Sequence, residues 1–200
     1  MHFQLRPNLA SAVIVAVGFA SSPAATVSGQ QHQIDVEHST ITIHVFKSGL
    51  FRAFADNHII RANLAKGSVE ESAGSHVDVI VDAERLRVLD PDLSAQDRGQ
   101  VQGRMLGPDV LDANRFPQIR FHSTTVKKLE TDRWIVNGAL ELHGRTHEVA
   151  LNVVQENGHY RGQTKLRQTD FGIRPISLAG GAVRVKDELT VDFDIVTADR

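Results

Sequence analysis

The sequence predicts an all-β fold, an eight-stranded antiparallel barrel with one short helix near an opening. Three observations carry this. Apolar and polar residues alternate with period two in segment after segment, turn-forming pairs separate those segments, and a single stretch breaks the period. Alternation of this kind marks strands with one apolar and one polar face, as antiparallel sheets commonly have. Counting such segments gives about seven to nine strands. Sheets of that size curl, split or close. Closure of about eight strands leaves an interior that side chains fill or that holds one small ligand. It also removes exposed sheet edges. An open two-sheet sandwich fits the same pattern, because periodicity does not see closure.

The elements follow in order along the 200 residues. Arg6 precedes an apolar run from Leu9 to Ala20 and the small residues Ser21-Ser22-Pro23-Ala24-Ala25. A basic head, a short apolar stretch and a small-residue exit make a secretory signal. The run is shorter than the roughly 20 apolar residues of a spanning helix. Ser22 and Ala24 suit the cleavage site, so residues 1–24 read as a signal peptide and the mature chain as periplasmic or secreted. Residues 25–33 are polar and small and read as a flexible lead-in, with one barrel domain over 34–198. Ile41, Ile43 and Val45 then alternate with Thr40, Thr42 and His44. Val77, Val79 and Val81 alternate with His76, Asp78 and Asp82; Ile119 and Phe121 with Gln118, Arg120 and His122. Trp134, Val136, Leu140 and Leu142 share one parity, as do Val149, Leu151 and Val153, and Leu189, Val191, Phe193 and Ile195. Turn signals stand at Lys66-Gly67, Ala73-Gly74, Thr131-Asp132, His143-Gly144, Asn157-Gly158 and Gly180-Gly181. Asn157-Gly158 is the sharpest, since both residues tolerate positive φ. The stretch Ser94–Leu106 breaks the period. Ser94 as N-cap with Asp97 in the first turn predicts a helix ending at Gly107-Pro108. A shorter helical turn is expected at Leu50–Ala55, where Leu50, Phe51 and Phe54 cluster.

Composition excludes several functions. Lys and Arg total 22 against 24 Asp and Glu, a net charge of −2, so no broad basic face awaits nucleic acid. With no cysteine there is no disulfide, thiolate zinc site or cysteine nucleophile. GxSxG, P-loop and dinucleotide signatures are absent, and Asp170-Phe171-Gly172 matches a kinase tripeptide without its companion loops. There are 10 histidines. His143 and His147 flank a turn instead of sharing a helix face, which argues against a metal grip. His44 and His58 either bond locally near the barrel rim or face a ligand head group or metal. Phe46, Phe51, Phe54, Phe116, Phe121, Phe171 and Phe193 pack a core or line a cavity, and parity alone does not distinguish these.

The segment Val110–Thr124 resembles the YceI-like family: Leu111-Asp112, then Phe116-Pro117, then a strand holding Phe121 and Ser123-Thr124. Gly138–Gly144 resembles that family's Gly-x-Leu-Thr-Leu-x-Gly hairpin, Thr169–Ile173 its Asp-Phe-Gly-Ile turn, and Asp187–Ile195 its closing strand. Arg98 sits where the family places an arginine in its helix. The resemblance runs from about Gln33 to Val196. It implies an exported bacterial protein with a lipocalin-like barrel whose apolar tunnel holds a polyisoprenoid or other long-chain lipid. Ligand-binding residues are then Ile43, Val45, Phe51, Phe54, Val79, Phe121, Leu140, Val149, Leu151, Phe171 and Phe193, with His44, His58 and Arg98 at the rim. It implies a carrier and not an enzyme, with no catalytic set, metal or cofactor. The expected partner is a long-chain lipid or isoprenoid, without nucleic acid; transient membrane contact and a homodimer are left open. Two other readings remain: a metal- or histidine-dependent periplasmic enzyme, and a filled-core stress or interaction module.

Overall fold

The structure, a computed structural model, describes residues 30–48, 57–71, 75–178, 180 and 183–198. The expected signal peptide 1–24, the lead-in up to residue 29, the helical turn at Leu50–Ala55 with Phe51 and Phe54, and the Ala73-Gly74 turn lie outside the described residues.

The strands are β1 (Gln30–Gln33), β2 (Thr40–Ser48), β3 (His58–Ala62), β4 (Leu64–Glu71), β5 (His76–Asp82), β6 (Arg87–Val88), β7 (Gln118–Glu130), β8 (Arg133–Leu142), β9 (Arg145–Glu156), β10 (His159–Arg167), β11 (Ser177–Leu178) and β12 (Val183–Val196). They form one sheet in the order β1-β4-β5-β7-β8-β9-β10-β12-β2-β3-β6, with β11 beside β12. Every pairing is antiparallel.

The twelve segments are fragments of longer strands. Only Asn63 separates β3 from β4, and a 3-10 turn at Ala83–Arg85 leads from β5 to β6. Because β4 pairs β5 while β3 pairs β6, these four segments make one bent hairpin. Strands β1 and β2 lie along the same edge of β3–β4. Joined this way the path returns on itself, and the ring closes where β12 pairs β2 from Arg184↔Ser48 to Asp194↔Thr40. Between β1 and β2 the chain is tied to the end of β12: Asp35 N donates to Val196 O at 2.8 Å, and Val196 N donates to Ser39 Oγ at 2.9 Å.

Local chemistry explains the connections. His143 and Gly144 (φ 52° and 70°) and Asn157 and Gly158 (φ 52° and 81°) make two-residue hairpin turns with both residues left-handed. The helix α1 (Ala95–Leu106) starts where Ser94 Oγ accepts from Asp97 N at 3.1 Å and ends at Gly107, whose N–H donates back to Gly103 O. Gln102 clamps it to the barrel: its Oε1 accepts from Val88 N at 2.8 Å and its Nε2 donates to Leu86 O at 2.7 Å.

Two sequence expectations are corrected. Gln30–Gln33, read as part of a flexible lead-in, is strand β1 on the free edge of β4; main-chain pairing needs no apolar side chains. Lys66-Gly67, read as a turn, lies inside β4. A Cβ on Gly67 would meet Ile34 Cδ1 at 2.6 Å, so this glycine admits the side chain of Ile34, the residue just after β1.

Candidate functional site

Alternation turns Ile41, Ile43 and Val45 of β2, Val77, Val79 and Val81 of β5, and Leu189, Val191, Phe193 and Ile195 of β12 to the barrel interior. They do not fill it. They surround a cavity of about 460 Å³ whose lining is overwhelmingly apolar. One end is closed by buried Met105 of α1 together with Leu111, Phe171 and Ile173. Phe171, only 1% exposed, sits on the 3-10 turn Gln168–Phe171, which ends with Gly172 at φ 73°. Toward the other end Ile34, Leu64 and Ile195 form a second buried cluster.

Two interior phenylalanines keep the space open by lying against bare backbone. A Cβ on Gly138 would sit 2.6 Å from Phe121 Cζ, and one on Gly162 2.4 Å from Phe193 Cζ. Each ring occupies the recess that a missing side chain leaves on the next strand, so it flattens onto the wall. At the end where β4 meets β5, β7 meets β8 and β9 meets β10, polar groups join the lining: Glu70, Ser75, Lys128 and Tyr160, with Trp134 among them. Lys128 Nζ lies 5.4 Å from the Trp134 ring centre, the Trp134 and Tyr160 rings are 6.1 Å apart, and Gln155 Nε2 donates to Tyr160 Oη at 3.0 Å.

The YceI-like domain family matches residues 32–197. The chain belongs to the YceI-like family. A search of curated proteins found no match. Among solved structures, BcnA from Burkholderia cenocepacia is 16% identical with a TM-score of 0.62, covering 83% of this chain and 99% of its own. A polyisoprenoid binding domain from Saccharophagus degradans, implicated in plant cell wall breakdown, is 14% identical with a TM-score of 0.55, covering 86% of this chain and 100% of its own. A mutant YceI protein of Campylobacter jejuni is 14% identical with a TM-score of 0.50, covering 70% and 85%. At these identities the likeness is one of fold.

Within this YceI-like barrel, Ile43, Val45, Val79, Phe121, Leu140, Val149, Leu151, Phe171 and Phe193 all line the cavity. The expected rim residues do not. His44 lies on the outer face, where its Nε2 donates to Asp192 Oδ2 at 2.8 Å; parity demands this once Ile43 and Val45 face inward. His58 Nδ1 donates to buried Asp90 at 2.6 Å, and Ile59 N donates to the same carboxylate at 2.7 Å. The pair pins the loop before α1 to β3. Arg98 donates to the carbonyls of Leu89 and Leu93, at 3.5 and 3.4 Å, and so braces that loop. His143 and His147 do not converge: His143 Nδ1 bonds Phe171 O and packs on Phe116, while His147 Nδ1 bonds Glu148 O.

The outer wall carries further histidine–aspartate pairs. His159 and Arg161 flank Asp194 at 2.6 and 2.9 Å. Burial pushes that carboxyl up, but the hydrogen bonds from Arg161 and His159 outweigh it and hold it below the ordinary carboxylate range. The polar rim of Glu70, Lys128 and Tyr160 was missed from sequence. Its only signal there is Trp134, which shares parity with Val136 and Leu140. Among the described residues, no helix is long and apolar enough to cross a membrane.

Proposed function

We propose that this protein is exported and carries one long-chain hydrophobic ligand, a polyisoprenoid or similar lipid, inside the barrel without transforming it. The observation that carries this reading is the apolar cavity of about 460 Å³. An interior built as a filled core would bring Phe121 and Phe193 together, yet both lie against glycines of the wall. The lining residues are mostly aliphatic and aromatic and offer dispersion and apolar burial. At roughly 30 Å³ per methylene-sized unit, the cavity takes on the order of fifteen chain carbons. Burying them contributes about 0.8 kcal/mol each, about 12 kcal/mol gross, before the costs of ordering the ligand. Longer tails extend past the polar rim, so head groups meet Lys128, Glu70 and Tyr160. The polyisoprenoid binding domain of Saccharophagus degradans supports the ligand class through its shared fold.

The test uses Trp134, the one tryptophan of the chain, which lines the cavity. Titration with isoprenols and fatty acids of increasing length should perturb its fluorescence. Affinity should climb about three- to fourfold per added methylene and flatten at on the order of fifteen carbons. Absence of binding at every length, or affinity indifferent to length, would sink the carrier reading.

A further inference from the structure

We propose that His76, Asp78 and His122 form a binding site for a divalent transition-metal ion of the zinc class on the outer wall of the barrel. His76 and Asp78 are two residues apart on β5 and so share a face. His122 on β7 is the direct cross-strand partner of Asp78. The neighbours Val77, Val79 and Phe121 line the cavity, so this cluster faces solvent on the opposite side of the same wall. His76 Nε2 lies 2.7 Å from Asp78 Oδ2, His122 Nδ1 lies 2.8 Å from Asp78 Oδ1, and one ligand atom from each residue falls within 4.8 Å of the others. In a tetrahedral zinc site neighbouring ligand atoms sit about 3.3 Å apart. An ion therefore enters by displacing the shared protons and opening each contact by about half an ångström, which half-exposed side chains allow. Two imidazoles and one carboxylate suit a zinc-class ion, whereas magnesium and calcium prefer all-oxygen sets. Water supplies the open position.

A second feature prepares the site. The β7–β8 ladder shifts register at Ser123, and the β5–β7 ladder stops at Asp78↔His122. Where the next main-chain bond would fall, Val77 N donates instead to Ser123 Oγ at 2.8 Å. That same oxygen lies 3.3 Å from His76 Nδ1. Ser123 is 3% exposed. When an ion displaces the proton held between Nε2 and Asp78, Ser123 Oγ is placed to take the Nδ1 proton and leave the Nε2 lone pair to the metal. Such an outer partner fixes the tautomer and orientation of a metal-bound imidazole. Bulges that re-aim a side chain in this way are common beside functional sites.

The test is calorimetric titration of the untagged protein with zinc chloride, beside His76→Gln, Asp78→Asn and His122→Gln. All three positions are partly exposed, and circular dichroism checks that each variant folds. One zinc per chain is expected, weakened at least tenfold in each variant. No stoichiometric zinc in the parent protein would overturn the site, as would undiminished binding in all three variants.

Discussion

Replacing Gly162 by alanine tests whether the cavity wall is built as described. The new Cβ would lie 2.2 Å from Asn152 O and 2.4 Å from Phe193 Cζ. The ring can swing away, but the oxygen belongs to the main chain of β9. The β9–β10 ladder ends beside it, at Gly162↔Val153 and Gln163↔Asn152, so the strands must part there. Overpacking costs about 1–3 kcal/mol, against roughly 0.5–1 kcal/mol gained by losing a flexible glycine. The main-chain clash favours the upper end, a net loss of about 2 kcal/mol. For a domain of this size that lowers Tm by about 4–8 °C. Phe193, pushed off its recess, moves into the cavity, so long-chain ligands should also bind several-fold more weakly. Thermal melts followed by circular dichroism read the first effect, and Trp134 fluorescence titration reads the second. A Tm equal to or above that of the parent, with ligand affinity unchanged, would refute the recess argument.

Phe171→Ala removes the most deeply buried large side chain and should cost about 3–5 kcal/mol, lowering Tm by about 6–20 °C; a loss under 2 °C would mean the ring does not close that end. Gly99→Ala sits in α1 with nothing within 4 Å of the added Cβ, so Tm should rise by about 2–4 °C, and a fall in Tm would contradict this. Asp194 has a lowered carboxyl pKa, so the stability it gives is whole above its ordinary value near 3.8 and fades as pH falls through its folded value. Arg161→Gln should therefore lower Tm modestly and evenly across pH 5–8, with the gap closing as pH falls below the ordinary carboxylate value; a gap that persists undiminished at low pH, or no gap at pH 5–8, would exclude the pairing as a factor.

Alternation exposed the strands whose inward residues are large, such as β5, β9 and β12. It was silent on β10, whose inward positions are Tyr160, Gly162, Thr164 and Leu166. There the apolar volume is supplied by Phe193 from across the ladder, so β10 itself shows little. Parity assigns a side chain to a face and says nothing of depth, so it does not separate cavity from core. That distinction rests on contacts such as Phe121 with Gly138, which the register of the β7–β8 ladder sets. Parity did hold the answer for His44: a residue between two inward neighbours faces out. His58 and Arg98 are a different matter, because their partners Asp90, Leu89 and Leu93 become neighbours only once the loop before α1 folds back. His76 and Asp78 show their common face in the sequence, whereas His122 joins them through strand register alone.

The β9–β10 ladder spans only His159↔Glu156 to Gln163↔Asn152, although β9 begins at Arg145 and β10 continues to Arg167. Past its end, Thr164 Oγ1 reaching Ala150 O at 3.2 Å makes one side-chain stitch. Local opening starts where few main-chain bonds hold a join, and both this join and β5–β7 are thin. Amide deuteration should therefore run faster at the β10-facing amides of Arg145–Ala150, whose other edge is held by β8, than along the long β7–β8 ladder. A thin join on the side of the barrel would give a hydrophobic ligand a way out besides the two ends.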